Sequence, residues 1–163
     1  MVGDKFGRKE FFLPQLLSGA DALRRAVTFL EPKLRAAGAA AAKREKIILA
    51  TVKGDIHDIG KNIVAVMLAN AGFDVIDLGK DVPGETILDR AAAEQCRLVG
   101  LSALMTTTMT EMPKVIEMAR QRGMKLRFLV GGAVVDEEFA RAIGAEYGRD
   151  ALATVRLALG NKD

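Results

Sequence analysis

Three observations predict an α/β chain built on a doubly wound parallel sheet. Apolar weight falls on Ala, Gly, Val, Leu and Ile, with aromatics at 5% of the 163 residues and no Trp, a balance that suits strands buried between helices. From residue 47 onward, short apolar runs alternate with amphipathic stretches. Five such β/α units in about 115 residues require crossover connections, and a crossover between parallel strands is nearly always a right-handed helix. The strand order expected at this size is 2-1-3-4-5, the Rossmann-like (flavodoxin-like) arrangement.

The elements follow in order. Residues 46–52 (KIILATV) read as a buried strand, and 61–71 as a helix with Ile63, Val64, Met67 and Leu68 on one face. Gly72 closes that helix, 74–78 (DVIDL) is the second strand, and Pro83 opens a helix whose apolar positions are Ile87, Leu88, Ala91 and Ala92. Residues 98–101 (LVGL) form the third strand, and 110–122 a helix stopped by Gly123. A fourth strand at 127–130 and a fourth helix at 136–143 come next, then a short strand at 145–147 and a last helix at 150–159.

Ahead of the sheet lies a different segment. Leu16, Ala20, Leu23, Val27, Leu30 and Leu34 recur at steps of three and four, which predicts a helix over 16–31 with a narrow apolar stripe. Pro32 ends or kinks it, and 38–46 (GAAAAKREK) reads as a linker. The expected division is therefore 1–45 and 46–163.

Charge and cysteine content exclude several classes. The net charge is +3, but the excess sits in residues 1–45, with nine Lys/Arg against five Asp/Glu; the remainder has fifteen against sixteen. Those basic residues are scattered among alanines and leucines without interleaved aromatics, which describes a solvated helix face and not a nucleic-acid surface. A single cysteine, Cys96, permits no internal disulfide and no thiolate cage, in keeping with a reducing, cytoplasmic setting. No apolar run reaches the ~18 residues of a membrane span, and the N-terminus lacks the pattern of a signal peptide.

In an open parallel sheet, ligands bind beyond the carboxyl ends of the strands where the strand order reverses. The loops after the first and third strands, 53–60 (KGDIHDIG) and 102–110 (SALMTTTMT), flank that point. The first holds His57, the chain's only histidine, between Asp55 and Asp58. A carboxylate beside a histidine can fix one tautomer and leave the other nitrogen free for a metal. One histidine does not make a zinc site, whereas a metal that brings its own equatorial ligands needs only one. The loop has no GxGxxG and no P-loop spacing, and Ser102 stands where a receiver domain needs a phosphorylatable Asp.

Taken together, D-x-H-x-x-G at Asp55, His57 and Gly60, S-x-L at Ser102 and Leu104, and G-G at Gly131 and Gly132 resemble the cobalamin-binding fingerprint of B12-dependent methyltransferases and mutases. The stretch from Val2 through Pro32, followed by ATVKGDIHDIGKNIV, is similar to methionine synthase and to the corrinoid proteins of methyltransferase systems. The resemblance implies a cobalamin cofactor (methylcobalamin or a related corrinoid) bound base-off, with His57 as the lower ligand of cobalt and Asp55 as its hydrogen-bonding partner. Thr108 takes the place of a relay serine. Gly54, Ile56, Asp58 and Gly60 are implied at the start of a channel for the nucleotide tail. Ser102, Leu104, Thr106, Gly131, Gly132 and Ala133 are implied along it, and Tyr147, Gly148 and Asp150 at its far end. Full-length relatives carry a four-helix cap, of which this sequence is expected to hold only the last helix.

The function so implied is a methyl-carrying module, with methyl donor and acceptor activated by other methyltransferase domains or subunits. The 16–31 stripe is expected either to fold back onto the sheet domain or to pair with the same helix of a second copy, the second being favoured because a two-fold pair buries the same patch on both chains. The alternative is a cobalamin sensor or storage module without catalysis. The cobalamin domain of a radical mutase is disfavoured, because such chains lack the lead-in helix and the KNIV that follows Gly60 here.

Overall fold

The structure is a computed structural model that describes residues 45–160; the helix expected at 16–31 and residues 38–44 of the expected linker lie outside the described residues, and Lys46 at the linker's end belongs to the first strand. Five parallel strands form one sheet in the order β2-β1-β3-β4-β5. The strands are β1 (Lys46–Thr51), β2 (Asp74–Asp77), β3 (Leu98–Ser102), β4 (Arg127–Gly131) and β5 (Glu146–Tyr147). The helices are α1 (Ile59–Asn70), α2 (Gly84–Ala93), a single turn α3 (Thr106–Met109), α4 (Glu111–Gln121), α5 (Glu137–Ile143) and α6 (Ala151–Ala158).

Alternation along the strands sorts the core into two layers. Ile47 and Leu49 of β1, Leu98 and Leu129 face Leu68 of α1, Phe73 and Ala158 of α6. Ile48, Ala50, Val99, Phe128 and Val130 face the other way, onto Ile87, Leu88 and Ala91 of α2, Met112, Val115 and Ile116 of α4 and Ala140 of α5. Helices thus cover both faces, as the apolar runs required. Truncating one of these fully buried aliphatic side chains, Leu68→Ala for example, costs ~2–5 kcal/mol because the cavity closes only in part.

Register then aligns the ends that matter. Thr51 pairs with Ser102, and Ser102 pairs with Gly131, so the last residues of three neighbouring strands stand in one row. The Gly148 amide extends the row by donating to the Val130 carbonyl at 2.9 Å. Two differences from expectation bear on the strand ends. Helix α1 begins at Ile59 and takes Gly60 into its first turn, and the loop after β3 contains α3, a turn made from threonines whose β-branched side chains give no helical signal.

Candidate functional site

The loop between β1 and α1 carries Asp55 into the protein while leaving His57 at its surface. Asp55 is fully buried, and His57 has 45% of its side chain exposed. Five donors surround the Asp55 carboxylate. Oδ1 accepts from the His57 amide at 3.0 Å and faces His57 Nδ1 at 2.8 Å. Oδ2 accepts from the Leu104 amide at 2.7 Å, the Met105 amide at 3.4 Å and Thr108 Oγ1 at 2.6 Å. The α3 turn is what aims Thr108 inward, with only 7% of that residue exposed.

Burial is the largest influence on this carboxyl and opposes its ionisation. Thr108, then the amides of His57 and Leu104, then the His57 ring outweigh it, so the group lies well below the usual carboxylate range. An ionised carboxylate only accepts hydrogen bonds, so Nδ1 of His57 donates to it and Nε2 is the ring nitrogen left without a partner among the described residues. Thr108 Oγ1 also lies 3.0 Å from the Met105 carbonyl, but its single proton goes to the closer, charged oxygen.

Beside this cluster runs a groove of about 480 Å³ between α1 and α6, across the carboxyl ends of β3 and β4. Of the residues anticipated from sequence, Gly60, Ser102, Gly131, Gly132, Ala133, Tyr147, Gly148 and Asp150 line it. Gly54 instead abuts Thr108: a Cβ there would lie 3.5 Å from the Thr108 methyl carbon. Ile56 is 63% exposed on the rim, where Asp58 precedes α1 and Thr106 opens α3; none of the three lines the groove. Leu104 reaches the site through its amide, its side chain being partly exposed. The Asp150 carboxylate caps α6 by accepting from the Ala153 amide at 2.7 Å, a structural use of the residue.

Close backbone approach explains the glycine pair. Gly132 has φ +133°, and a Cβ on it would collide with the Ala103 carbonyl; one on Gly131 would lie 2.8 Å from the Gly148 carbonyl. At Gly60 the reason differs, since a Cβ there meets nothing within 4 Å and would enter open space at the groove. Sequence reasoning missed Lys61, which lines the groove from α1 with its side chain 2% exposed and its ammonium 2.6 Å from both Asp77 oxygens. Its place on an otherwise apolar helix face was the available signal.

A family model described as "B12 binding domain" matches residues 45–156. The chain belongs to the B12-binding family. A trimethylamine corrinoid protein from Methanosarcina barkeri is 40% identical over 164 residues, covering 97% of this chain and 76% of that one. Among solved structures, a cobalamin-binding protein from Desulfitobacterium hafniense superposes with a TM-score of 0.82 at 34% identity, over 99% of this chain and 77% of the other. The methanol:cobalamin methyltransferase complex MtaBC from Methanosarcina barkeri gives 0.85 at 32% identity, over 98% of this chain and 61% of that one.

The cofactor of this B12-binding domain is a cobalamin or a related corrinoid, and the residues fit such a group. The described residues contain no cluster of three His, Cys, Asp or Glu able to hold a bare ion, so a metal at His57 must arrive with ligands of its own, as it does in a corrin. The groove offers an elongated, mainly apolar bed. It also offers the Ser102 hydroxyl, which forms no hydrogen bond among the described residues and is available to a polar tail. No helix among the described residues is long and apolar enough to cross a membrane.

Proposed function

We propose that this chain is the methyl-carrying corrinoid module of a methyltransferase system, holding its cofactor base-off with His57 Nε2 as the lower ligand. One observation carries the reading: the only histidine of the chain is held through Nδ1 by a buried, ionised Asp55, which leaves Nε2 without a partner among the described residues on a side chain that is 45% exposed. Bound corrinoid supplies a cobalt that accepts a methyl group and passes it on. The protein's part is to orient. Asp55 holds the imidazole in one orientation, and Thr108 and the Leu104 amide keep Asp55 charged. Gly60 leaves room for the displaced nucleotide. Ser102, Gly131, Gly132, Ala133, Tyr147 and Gly148 then bed the tail.

Donor and acceptor are activated by separate methyltransferase subunits. Likeness to a trimethylamine corrinoid protein and to a methanol:cobalamin methyltransferase complex supports a small methylated amine or alcohol as donor. The setting is cytoplasmic, a reading supported by a lone cysteine that is buried. Pairing of two copies through the 16–31 stripe completes the proposal, and sedimentation of wild type against a Leu23→Glu/Leu30→Glu variant tests it: monomers in both refute pairing.

For the ligand itself the chain is loaded with cobalamin, reduced to the Co(II) form and examined by EPR. Wild type is expected to show superhyperfine coupling from one lower nitrogen, and His57→Ala to lack it while still eluting with cofactor. Coupling that survives the substitution refutes the assignment.

A further inference from the structure

The loop that presents His57 is gripped at both ends from one side, by the last residue of β2 and by the segment connecting β2 to α2. At the near end, Asp81 Oδ1 accepts from the Gly54 amide at 2.6 Å, and the Asp81 amide donates to the Asp55 carbonyl at 2.9 Å. At the far end, both Asp77 oxygens lie 2.6 Å from the Lys61 ammonium in the first turn of α1. Gly54 and Lys61 bound the segment that holds His57, so both ends are held by side-chain contacts.

The turn is itself fixed to the sheet. The Thr51 amide donates to Gly79, the Val82 amide donates to Thr51, and Val52 and Val82 form a parallel bridge. Asp77 Oδ1 also accepts from the Gly79 amide at 2.8 Å, tying its carboxylate to the same turn. Asp81 adopts φ +55°, a left-handed backbone that few non-glycine residues take and that Asp tolerates better than most. A glycine would sit there without strain. Asp81 thus carries a side chain where the backbone disfavours one, and that side chain grips the residue next to Asp55.

We propose that Asp81 is a positioning residue for the His57 imidazole, with Asp77 and Lys61 holding the opposite end of the same loop. The Asp55 oxygen that receives Nδ1–H belongs to the residue whose carbonyl Asp81 holds. Releasing that grip lets Asp55 and His57 shift relative to each other without disturbing the strands. The inference rests on the reading of His57 given above for its purpose, but its test needs no cofactor.

Because the chain has one histidine, nitrogen-15 NMR of the imidazole in the full, cofactor-free chain reports on His57 alone. Asp81→Gly removes the acceptor and relieves the backbone, so it is expected to fold; Asp81→Asn keeps both an acceptor and tolerance of the left-handed backbone. Wild type and Asp81→Asn should show the Nδ1–H tautomer predominating. In Asp81→Gly, the Nε2–H population and the Gly54 amide exchange rate should each rise about fivefold, the factor attached to losing one ordinary hydrogen bond. An unchanged tautomer in Asp81→Gly overturns the proposal, even where Gly54 exchanges faster. So does Asp81→Asn behaving like Asp81→Gly. Should wild type loaded with cobalamin lack nitrogen coupling while the tautomer shifts as stated, the ligand assignment falls and the positioning role of Asp81 stands.

Discussion

Asp55 and Thr108 lie 53 positions apart in sequence and 2.6 Å apart in the fold, joined by a hydrogen bond buried beneath His57. The bond links the loop after β1 to the turn after β3, which are the two loops on either side of the point where strand order reverses. An acidic group so enclosed would act on a ligand of His57 without touching it.

Asp55→Asn is therefore expected to weaken cobalamin binding ~10–100-fold, the usual consequence of losing the partner that orients a metal-binding histidine. Thr108→Val, which keeps the shape but removes the donor, should act in the same direction with a smaller effect. Equilibrium titration of each variant with cobalamin checks both.

Acid should separate wild type from Asp55→Asn. The folded Asp55 carboxyl titrates below its unfolded counterpart, so its contribution to stability is complete above the unfolded value of ~3.9 and is lost as pH falls from there toward the folded value. Urea unfolding at pH ~6, ~4 and ~3 should show the stability gap between the two proteins at its full width at the first and narrowing at the last.

Two glycine substitutions should split fold from binding. Gly132→Ala forces a Cβ into the Ala103 carbonyl at a backbone angle that L residues rarely adopt, and should cost at least ~3 kcal/mol or prevent folding. Gly60→Ala meets no protein atom within 4 Å and sits in a helix, so stability should hold or rise by up to ~1 kcal/mol. Its cobalamin affinity should nevertheless fall ~10-fold or more, equivalent to ~1.4 kcal/mol of lost binding. Thermal melts with and without cobalamin read both effects.

Much of this fold was legible because its signals are local. Short apolar runs and period-3.6 patterns mark the five strands and most of the helices, and the motifs that hold Ser102 and Gly131 are local, although only register makes the two residues neighbours. What escaped depends on distance in sequence. Nothing near Lys61 announces Asp77, nothing near Gly54 announces Asp81, and both pairings exist only once β2 lies beside β1. The α3 turn escaped for a different reason. Thr106, Thr107 and Thr108 disfavour helix, and the turn is held by Thr108 bonding to Asp55. Asp150 carries a mixed lesson, for it lines the groove yet spends its carboxylate on capping α6.

The row formed by Thr51, Ser102, Gly131 and Gly148 has a thermodynamic corollary. The groove is not a pouch hung on one loop; its floor is the combined edge of strands at the centre of the sheet, and no partly unfolded form with those strands parted retains it. On the proposed reading of the groove as the cofactor's bed, cofactor release and global unfolding are linked, and ligand in hundredfold excess over its dissociation constant adds ~2.7 kcal/mol to the native state. For a chain of this size that is a substantial share of its total stability, so scarcity of corrinoid would be felt in the cell as shortened protein lifetime as well as idle chemistry.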